Sequence, residues 1–281
     1  MNKIRPETEK KFKKLQKIIK DMECTVIAFS GGVDSSFLLK TAQNILGEKV
    51  SAVILEAPIF SKKENKKAEL MAAKWDIDFQ TVSVPIMEDE EFCKNAPERC
   101  YICKKIILTQ VKEIALRKGC RWTCDGSNSD DRYDFRPGIK ALDELGIRSP
   151  LKEAGLGKEE IRRLAYREGL SNWNQPSQAC LASRIPYYKK IHGEALSRIE
   201  QAEEALRQMG FRQVRVRHHG NIARIEVEDI QLAEAVSTKK RADILRSLKA
   251  LGYLYICVDL EGFRSGSLND EIFKKKRTGP V

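Results

Sequence analysis

The chain has 281 residues, of which 42% are hydrophobic and 32% are charged, and it contains only 17 Gly and 9 Pro. This composition excludes a collagen-like or low-complexity chain and argues against wholesale disorder, while the length predicts one large domain or two smaller ones. Lys and Arg outnumber Asp and Glu by 51 to 40, and the net charge of +11 favours an anionic partner or simply promotes solubility.

Buried strands alternate with helices in the first half of the chain. Short apolar, β-branched runs predict parallel strands at 24–29, 50–55, 79–84 and 121–124. Helical spacing of apolar residues predicts helices at 7–22, 36–46, 62–74 and 104–118. This order predicts an α/β fold, a parallel sheet with helices on both faces and ligands at the carboxyl ends of its strands.

The second half of the chain has a different pattern. Residues 126–192 hold Gly, Pro, Asn and Asp clusters around one clear helix at 158–168, which we interpret as the rim of an active site. The following elements are a helix at 194–209, strands at 213–217 and 222–227, a helix at 233–251 and a strand at 253–258. We therefore predict two domains, 1–190 and a smaller α+β domain at 191–281, with a basic tail at 273–277.

The amino terminus lacks the apolar core of a signal peptide, and no stretch approaches the roughly 20 apolar residues of a membrane span. We expect a cytoplasmic protein without a membrane partner. In a reducing compartment the 8 cysteines are expected to be catalytic, metal-binding or buried rather than disulfide-bonded.

A glycine-containing turn, Ser30–Ser36 (SGGVDSS), joins the first strand to its helix. Glycines let the backbone approach an anion, serine hydroxyls donate to phosphate, and the helix N-terminus adds positive potential, while an aspartate can hold Mg²⁺. A tight capped turn is the less specific alternative. The candidate ATP-binding residues are Ser30, Gly31, Gly32, Asp34, Ser35 and Ser36, with Asp34 as the Mg²⁺ ligand.

This turn resembles the pyrophosphate loop of the N-type ATP pyrophosphatases, the PP-loop superfamily that includes GMP, NAD and asparagine synthetases and tRNA-thiolating enzymes. The resemblance implies a Rossmann-like PP-loop domain that cleaves ATP to AMP and pyrophosphate, with Mg²⁺, and activates a carbon as its adenylate. Two further stretches resemble the superfamily. Asp125, in the loop 125–131, is a candidate nucleotide or Mg²⁺ ligand, and Lys158, at a helix start, is a candidate phosphate ligand; a polar turn and a solvated lysine are the alternatives.

The segment Trp173–Tyr187 places Cys180 four residues before Arg184 in a Pro-bracketed loop. A thiolate held beside a cation is one interpretation, and a buried structural cysteine is the other. With this segment included, the chain resembles the LarE family over residues from about 10 to 270. The segments that carry the resemblance are 30–36, 125–131, 150–165, 173–187 and 214–227.

LarE proteins are ATP-dependent sulfur transferases of nickel-pincer nucleotide cofactor biosynthesis. The resemblance implies that a carboxylate of pyridinium-3,5-biscarboxylic acid mononucleotide is adenylated and converted to a thiocarboxylate. By position, Cys180 matches the cysteine that is sacrificed as sulfur donor and becomes dehydroalanine.

Cys100 and Cys103 form a C-x-x-C pair at the start of a helix, a common half-site for zinc or an iron–sulfur cluster. Cys180 is the natural third ligand, and a 4Fe–4S cluster on three thiolates would leave one iron open to sulfide, similar to cluster-dependent tRNA thiolases. A redox dithiol and plain structural cysteines are the alternatives. The remaining cysteines are predicted to be structural: Cys24, Cys93, Cys120, Cys124 and Cys257.

Arg215 and Arg217 alternate with valines, so both project from one face of a predicted strand. Because a guanidinium matches phosphate geometry, the two arginines are candidate ligands of the substrate phosphate, an interpretation that the LarE resemblance favours. An exposed strand face with cross-strand charge pairs, to Glu226 for example, is the alternative.

The expected function is a LarE-type sulfurtransferase that acts on a small anionic nucleotide and assembles as a homo-oligomer. A tRNA-thiolating PP-loop enzyme is the first rival, favoured by the +11 charge and the basic tail, although no zinc ribbon is recognisable. A nucleotide-binding protein without catalysis is the second.

Overall fold

A computed structural model describes residues 4–133, 137–176, 179–264 and 266–270, so the basic tail at 273–277 lies outside the described residues. The chain folds as two compact units: 1–89 with 97–178, and 90–96 with 179–281. Within these described ranges no helix is both long and apolar enough to cross a membrane.

The helices and strands follow one another in the predicted alternation. In chain order they are α1 (Pro6–Lys20), β1 (Thr25–Ala28), α2 (Val33–Leu46), β2 (Val50–Glu56), α3 (Lys62–Lys74), β3 (Asp78–Ser83), α4 (Glu90–Cys93), α5 (Arg99–Arg117), β4 (Trp122–Cys124), α6 (Gly138–Leu145), α7 (Pro150–Ala154), α8 (Lys158–Arg167), α9 (Gly193–Gln208), β5 (Val214–His219), β6 (Ile222–Val227), α10 (Leu232–Val236), α11 (Thr238–Ala250) and β7 (Tyr255–Val258).

The first unit is built on a parallel sheet with the strand order β3-β2-β1-β4. The central strands are apolar on both faces because both faces are covered. Ile27 packs in one buried cluster with residues of α1 and α2, whereas Val26 packs on the other face against Val111 and Ile114 of α5. The predicted α/β fold is confirmed. Since β2 and β4 flank β1 on opposite sides, the switch in strand order falls at the carboxyl end of β1.

The rim region, 126–192, contains more than the one helix expected from sequence. Besides α8 it holds α6 and α7, which end at Gly146 and Gly155, both in the left-handed conformation with φ of 67° and 78°. Helices this short lie between Gly and Pro residues, so their sequence pattern is that of a loop.

Cys24 and Cys120 are joined by a disulfide, with a Cα–Cα distance of 5.2 Å. The expectation that no cysteine is disulfide-bonded is therefore wrong for this pair. Each cysteine lies just before a strand, and β1 and β4 pair in parallel, so the sheet brings the two residues to the same edge. Cys93 and Cys124 are buried, while Cys257 is exposed on β7.

The second unit holds a three-stranded sheet in the order β5-β6-β7, with β5 and β6 antiparallel and β6 and β7 parallel. Val214 and Val216 of β5 enter an apolar core with residues of α9 and α11, so the alternating arginines lie on the opposite face. Arg215 and Arg217 are nevertheless buried, which excludes the exposed strand face considered above.

The segment 90–96 belongs to this second unit although it interrupts the first in sequence. The buried Asn95 side chain donates to the carbonyls of Ile185, Pro186 and Lys189 at 3.3, 2.8 and 3.0 Å. These bonds fasten the segment to 185–191, most of which the sequence predicts to lie in a first domain that ends at residue 190.

Gly31→Ala should lower the free energy of unfolding more than Gly119→Ala does. Both glycines have φ near 70°, so both substitutions carry the left-handed strain of about 1–2 kcal/mol. A Cβ on Gly31 would also lie 3.0 Å from Ala68 Cβ, whereas nothing lies within 4 Å of one on Gly119. Urea denaturation of the two variants measures the difference; equal destabilisation would contradict the close packing of α3 on this turn.

Candidate active site

The phosphate loop lies where the carboxyl end of β1 meets α2. The helix begins at Val33, so Asp34, Ser35 and Ser36 occupy its first turn, where main-chain N–H groups are available to an anion. Ser30 Oγ lies 3.1 Å from Ser35 Oγ and accepts from the Gly32 N–H at 3.4 Å. The sequence-predicted residues of this loop are therefore brought together around one helix terminus.

The loop that follows β4 lies directly against this turn. A Cβ on Gly126 would be 3.0 Å from the Ser35 nitrogen, so glycine is required for the two backbones to approach. Two residues further on, Asn128 Nδ2 donates to Asp34 Oδ2 at 2.8 Å. The sequence analysis missed Gly126; its position two residues after a strand was the available signal.

Asp34 is a carboxylate in an unfavourable electrostatic setting. Burial raises the pKa of Asp34 above its ordinary value, and the nearby charge of Asp131 raises it further, against the Asn128 hydrogen bond and the charges of Lys158 and Arg162. A divalent cation would relieve both the burial of charge and the repulsion between the two carboxylates. Asp34 and Asp131 are thus the oxygen donors that fit Mg²⁺ here.

Asp125 faces the interior of its own loop. Its carboxylate accepts from Ser127 Oγ and Ser149 Oγ, both at 2.6 Å, and from Lys104 Nζ at 3.3 Å. These bonds hold the loop against the sheet, and a direct role of Asp125 in cofactor binding stays a prediction.

Lys158 and Asn172 complete the surroundings of the phosphate loop. Lys158 begins α8, and its Nζ lies 3.9 Å from Asp131 Oδ1. Asn172, which the sequence analysis did not single out, donates from Nδ2 to the Gly31 carbonyl and to Ser36 Oγ, both at 2.9 Å. Asn172 thereby clamps the turn to the first turn of α2.

Cys180 lies in the second unit, half-buried, at the start of a 3₁₀ turn that spans Leu181–Arg184. Arg184 is 3% exposed, and its guanidinium donates to Glu203 and to the Ala179 and Cys180 carbonyls. The four-residue spacing therefore brings the cation to the main chain of the cysteine.

The two arginines of β5 differ in their partners. Arg217 makes a bidentate pair with Glu226, with both N–O distances 2.8 Å, and also donates to the Ser183 carbonyl and to Ser267 Oγ. Arg215 stacks over the Phe263 ring at 4.4 Å, and among the described residues no carboxylate lies within ion-pair distance of it.

The Arg215 cation is correspondingly ill-compensated. Burial lowers the pKa of Arg215 to about 10, and the positive charges of Arg184 and Arg217 contribute to the shift. A buried guanidinium in such a setting favours an added anion, because the anion would supply the missing negative charge.

Cys100 and Cys103 lie at the start of α5, three residues apart and therefore on one face, with Cys100 exposed. The pair fits half of a cluster site. Among the residues that the structure describes, no group of three His, Cys, Asp or Glu side chains is placed to hold a metal ion.

A parallel sheet whose central strand ends in a Ser-Gly-Gly turn, with a carboxylate in the first turn of the next helix, defines a PP-loop ATP pyrophosphatase domain. The family profile described as NAD synthase matches residues 8–99, which include this turn. A glutamine-hydrolysing GMP synthase polypeptide of Methanococcus maripaludis is 26% identical over 66% of this chain and 61% of its own length.

Other relatives match nearly the whole chain. The pyridinium-3,5-bisthiocarboxylic acid mononucleotide synthase of Lactiplantibacillus plantarum is 36% identical over 91% of this chain and 92% of its own length. An uncharacterised protein of Synechocystis sp. is also 36% identical, over 95% of this chain and 99% of its own length. The chain belongs to the LarE family.

Asp34→Asn should stabilise the ligand-free protein and abolish ATP cleavage. The substitution removes a desolvated charge that faces Asp131, yet the Asn side chain can still accept the hydrogen bond from Asn128. We expect a higher melting temperature and a loss of pyrophosphate release of about 10²-fold or more. A melting temperature below that of the wild type would contradict the burial of this charge.

Arg217→Ala and Arg215→Ala should separate stability from anion binding. Removing Arg217 strands the Glu226 carboxylate, which is 1% exposed, and should cost about 3–5 kcal/mol of unfolding free energy. Removing Arg215 should change stability by only about 1 kcal/mol, since it breaks a ring contact and no ion pair. Denaturant melts of both variants, with and without inorganic phosphate, test this contrast: phosphate should protect the wild type more than Arg215→Ala.

Proposed function

We propose that this protein is an ATP-dependent sulfurtransferase that converts carboxylates of pyridinium-3,5-biscarboxylic acid mononucleotide to thiocarboxylates. The observation that carries the proposal is the pairing of two features in one LarE-family chain. One is the phosphate loop with Asp34, Asn128 and Lys158 around it, and the other is Cys180 on a rigidly bonded turn.

Adenylation is the first step. A carboxylate oxygen of the substrate attacks the α-phosphorus of ATP, the bond from that phosphorus to the bridging oxygen breaks, and pyrophosphate leaves with the electron pair. The N–H groups of the first turn of α2 and the hydroxyls of Ser30 and Ser35 would hold the departing pyrophosphate. Asp34 and Asp131 would hold Mg²⁺, which when bound neutralises charge on the phosphates.

Sulfur transfer follows, with Cys180 as the sulfur source. Its thiolate attacks the acyl carbon, the carbon–oxygen bond breaks and AMP leaves with the electron pair, giving a thioester. Loss of the Cys180 Cα proton then breaks the Cβ–Sγ bond, and the electron pair stays on sulfur. The products are a thiocarboxylate and a dehydroalanine at position 180, so one chain supplies one sulfur atom.

A 4Fe–4S cluster on Cys100, Cys103 and Cys180 is the second version of this proposal. The pair on the first turn of α5 supports it, since both thiols share one helix face. Such a cluster, when bound, would supply an iron site that accepts external sulfide, and the enzyme could then turn over repeatedly.

The substrate phosphate is assigned to Arg215 first and Arg217 second. Arg217 has its carboxylate partner in Glu226, whereas Arg215 has an aromatic face and a lowered pKa of about 10. A small anionic nucleotide accounts for part of the basic composition of the chain. The expected homo-oligomer and the cytoplasmic location stay predictions.

The test is anaerobic purification followed by reaction with ATP, Mg²⁺ and the biscarboxylic nucleotide. Sacrifice predicts one thiocarboxylate per chain, an intact mass lower by one H₂S, and no product from Cys180→Ala. The cluster version predicts iron and sulfide in the wild type, their loss in Cys100→Ala, and several turnovers with added sulfide. Wild-type protein that cleaves no ATP in the presence of this nucleotide would overturn both versions, and tight, salt-sensitive binding of bulk tRNA would favour the rival tRNA thiolase.

A further inference from the structure

The Cys180 turn is anchored to a carboxylate in the interior of the second unit. Glu203, on α9, is 1% exposed and accepts from Arg184 Nε at 2.7 Å and Arg184 Nη2 at 3.1 Å. The same carboxylate accepts from Arg207 Nη2 at 2.8 Å and from the Val216 N–H at 3.1 Å. Glu203 thus ties a helix, the strand β5 and the Cys180 turn together.

The remaining nitrogen of Arg184 grips the main chain beside the thiol. Its Nη1 donates to the Ala179 carbonyl at 2.8 Å, to the Cys180 carbonyl at 3.2 Å and to Ser183 Oγ at 3.0 Å. The Cys180 carbonyl also accepts from Ser183 Oγ at 2.8 Å and from the Ser183 N–H at 3.0 Å. The peptide groups before and after the Cys180 Cα are therefore both held, and this sets the direction of its Cα–Cβ bond.

A second buried pair links the same turn to the strand that carries Arg215. Arg217, itself paired with Glu226, donates to the Ser183 carbonyl at 2.7 Å. Together with the bond from Val216 to Glu203, this holds the Cys180 turn at a constant distance from β5. Both pairs lie within the second unit.

We propose that Arg184, held by Glu203, is a positioning residue that orients the Cys180 sulfur for attack; the proposal rests on the proposed function of Cys180. Attack on an acyl carbon requires the reacting atoms to lie about 3–3.5 Å apart and aligned, and a misplacement of about 1 Å can cost 10²-fold in rate. A guanidinium can serve Glu203 on one edge and two carbonyls on the other. A lysine ammonium is a point donor on a flexible stem and cannot span both.

The charge state of Arg184 supports this role. Burial alone would lower its pKa, but the attraction of Glu203, together with the charges of Cys180 and Glu226, outweighs burial, and the pKa of Arg184 is raised. The guanidinium therefore stays charged, and its hydrogen bonds stay strong, throughout the pH range of enzyme assays.

The experiment compares Arg184→Lys with the matched control Arg207→Ala, in the full chain. Both substitutions remove donors from Glu203, but in the described structure Arg207 makes no bond to the 179–184 turn. For Arg184→Lys we expect single-turnover thiocarboxylate formation slowed about 10²-fold, with pyrophosphate release and KM for ATP within about 2-fold of wild type. Amides 179–184 should exchange with deuterium about 10-fold faster than in the control. Sulfur transfer by Arg184→Lys at the rate of Arg207→Ala would overturn the proposal.

Ser183→Ala keeps the test decisive if Arg184→Lys does not fold. Ser183 is half-buried and its hydroxyl bonds both the Cys180 carbonyl and Arg184, so its loss loosens the turn without stranding a buried charge. Slower sulfur transfer with unchanged pyrophosphate release supports positioning, and a wild-type transfer rate overturns it. If instead Cys180→Ala still forms thiocarboxylate, the proposed function of Cys180 fails, while the exchange of amides 179–184 still reports whether Arg184 orders the turn.

Discussion

The close approach of backbones around the N-terminus of α2 is the constraint on which the first unit depends. At three positions a Cβ would meet a neighbour at 3.0 Å or less: Gly31 against α3, Gly126 against Ser35, and Gly157 against the Asp130 carboxylate. Only glycine allows loops from separate parts of the chain to converge there. Their convergence brings Asp34, with its raised pKa, beside the amide of Asn128.

The second unit uses buried ion pairs to set positions. Arg184–Glu203 and Arg217–Glu226 are both almost completely removed from water. Such pairs add little stability over apolar residues of the same size, because desolvation offsets much of their attraction. What they supply is geometry: each guanidinium has donors to spare, and these hold the main chain around Cys180. Arg215, left with an aromatic partner, is the cation with capacity for an added anion.

The alternation of apolar runs and helical spacing predicted the fold well. The ranges of α3 and β6 agree residue for residue with the prediction, and the parallel sheet was confirmed. The failures have a common cause. The helices α6 and α7 are too short for a periodic pattern, and the disulfide between Cys24 and Cys120 joins residues 96 positions apart that only the pairing of β1 with β4 makes neighbours. Local pattern carries no information about either.

The sequence by itself determined the α/β class, the phosphate loop, the candidate sulfur residue Cys180 and the family, because each is written in contiguous residues. Only the tertiary structure decided which of two alternating arginines is neutralised and which is not. Both occupy the same strand face, but only Arg217 pairs with the carboxylate of Glu226, directly and through both of its oxygens. The partner of a buried charge is chosen by strand register and by the segments that cover the sheet, and neither can be read along the chain.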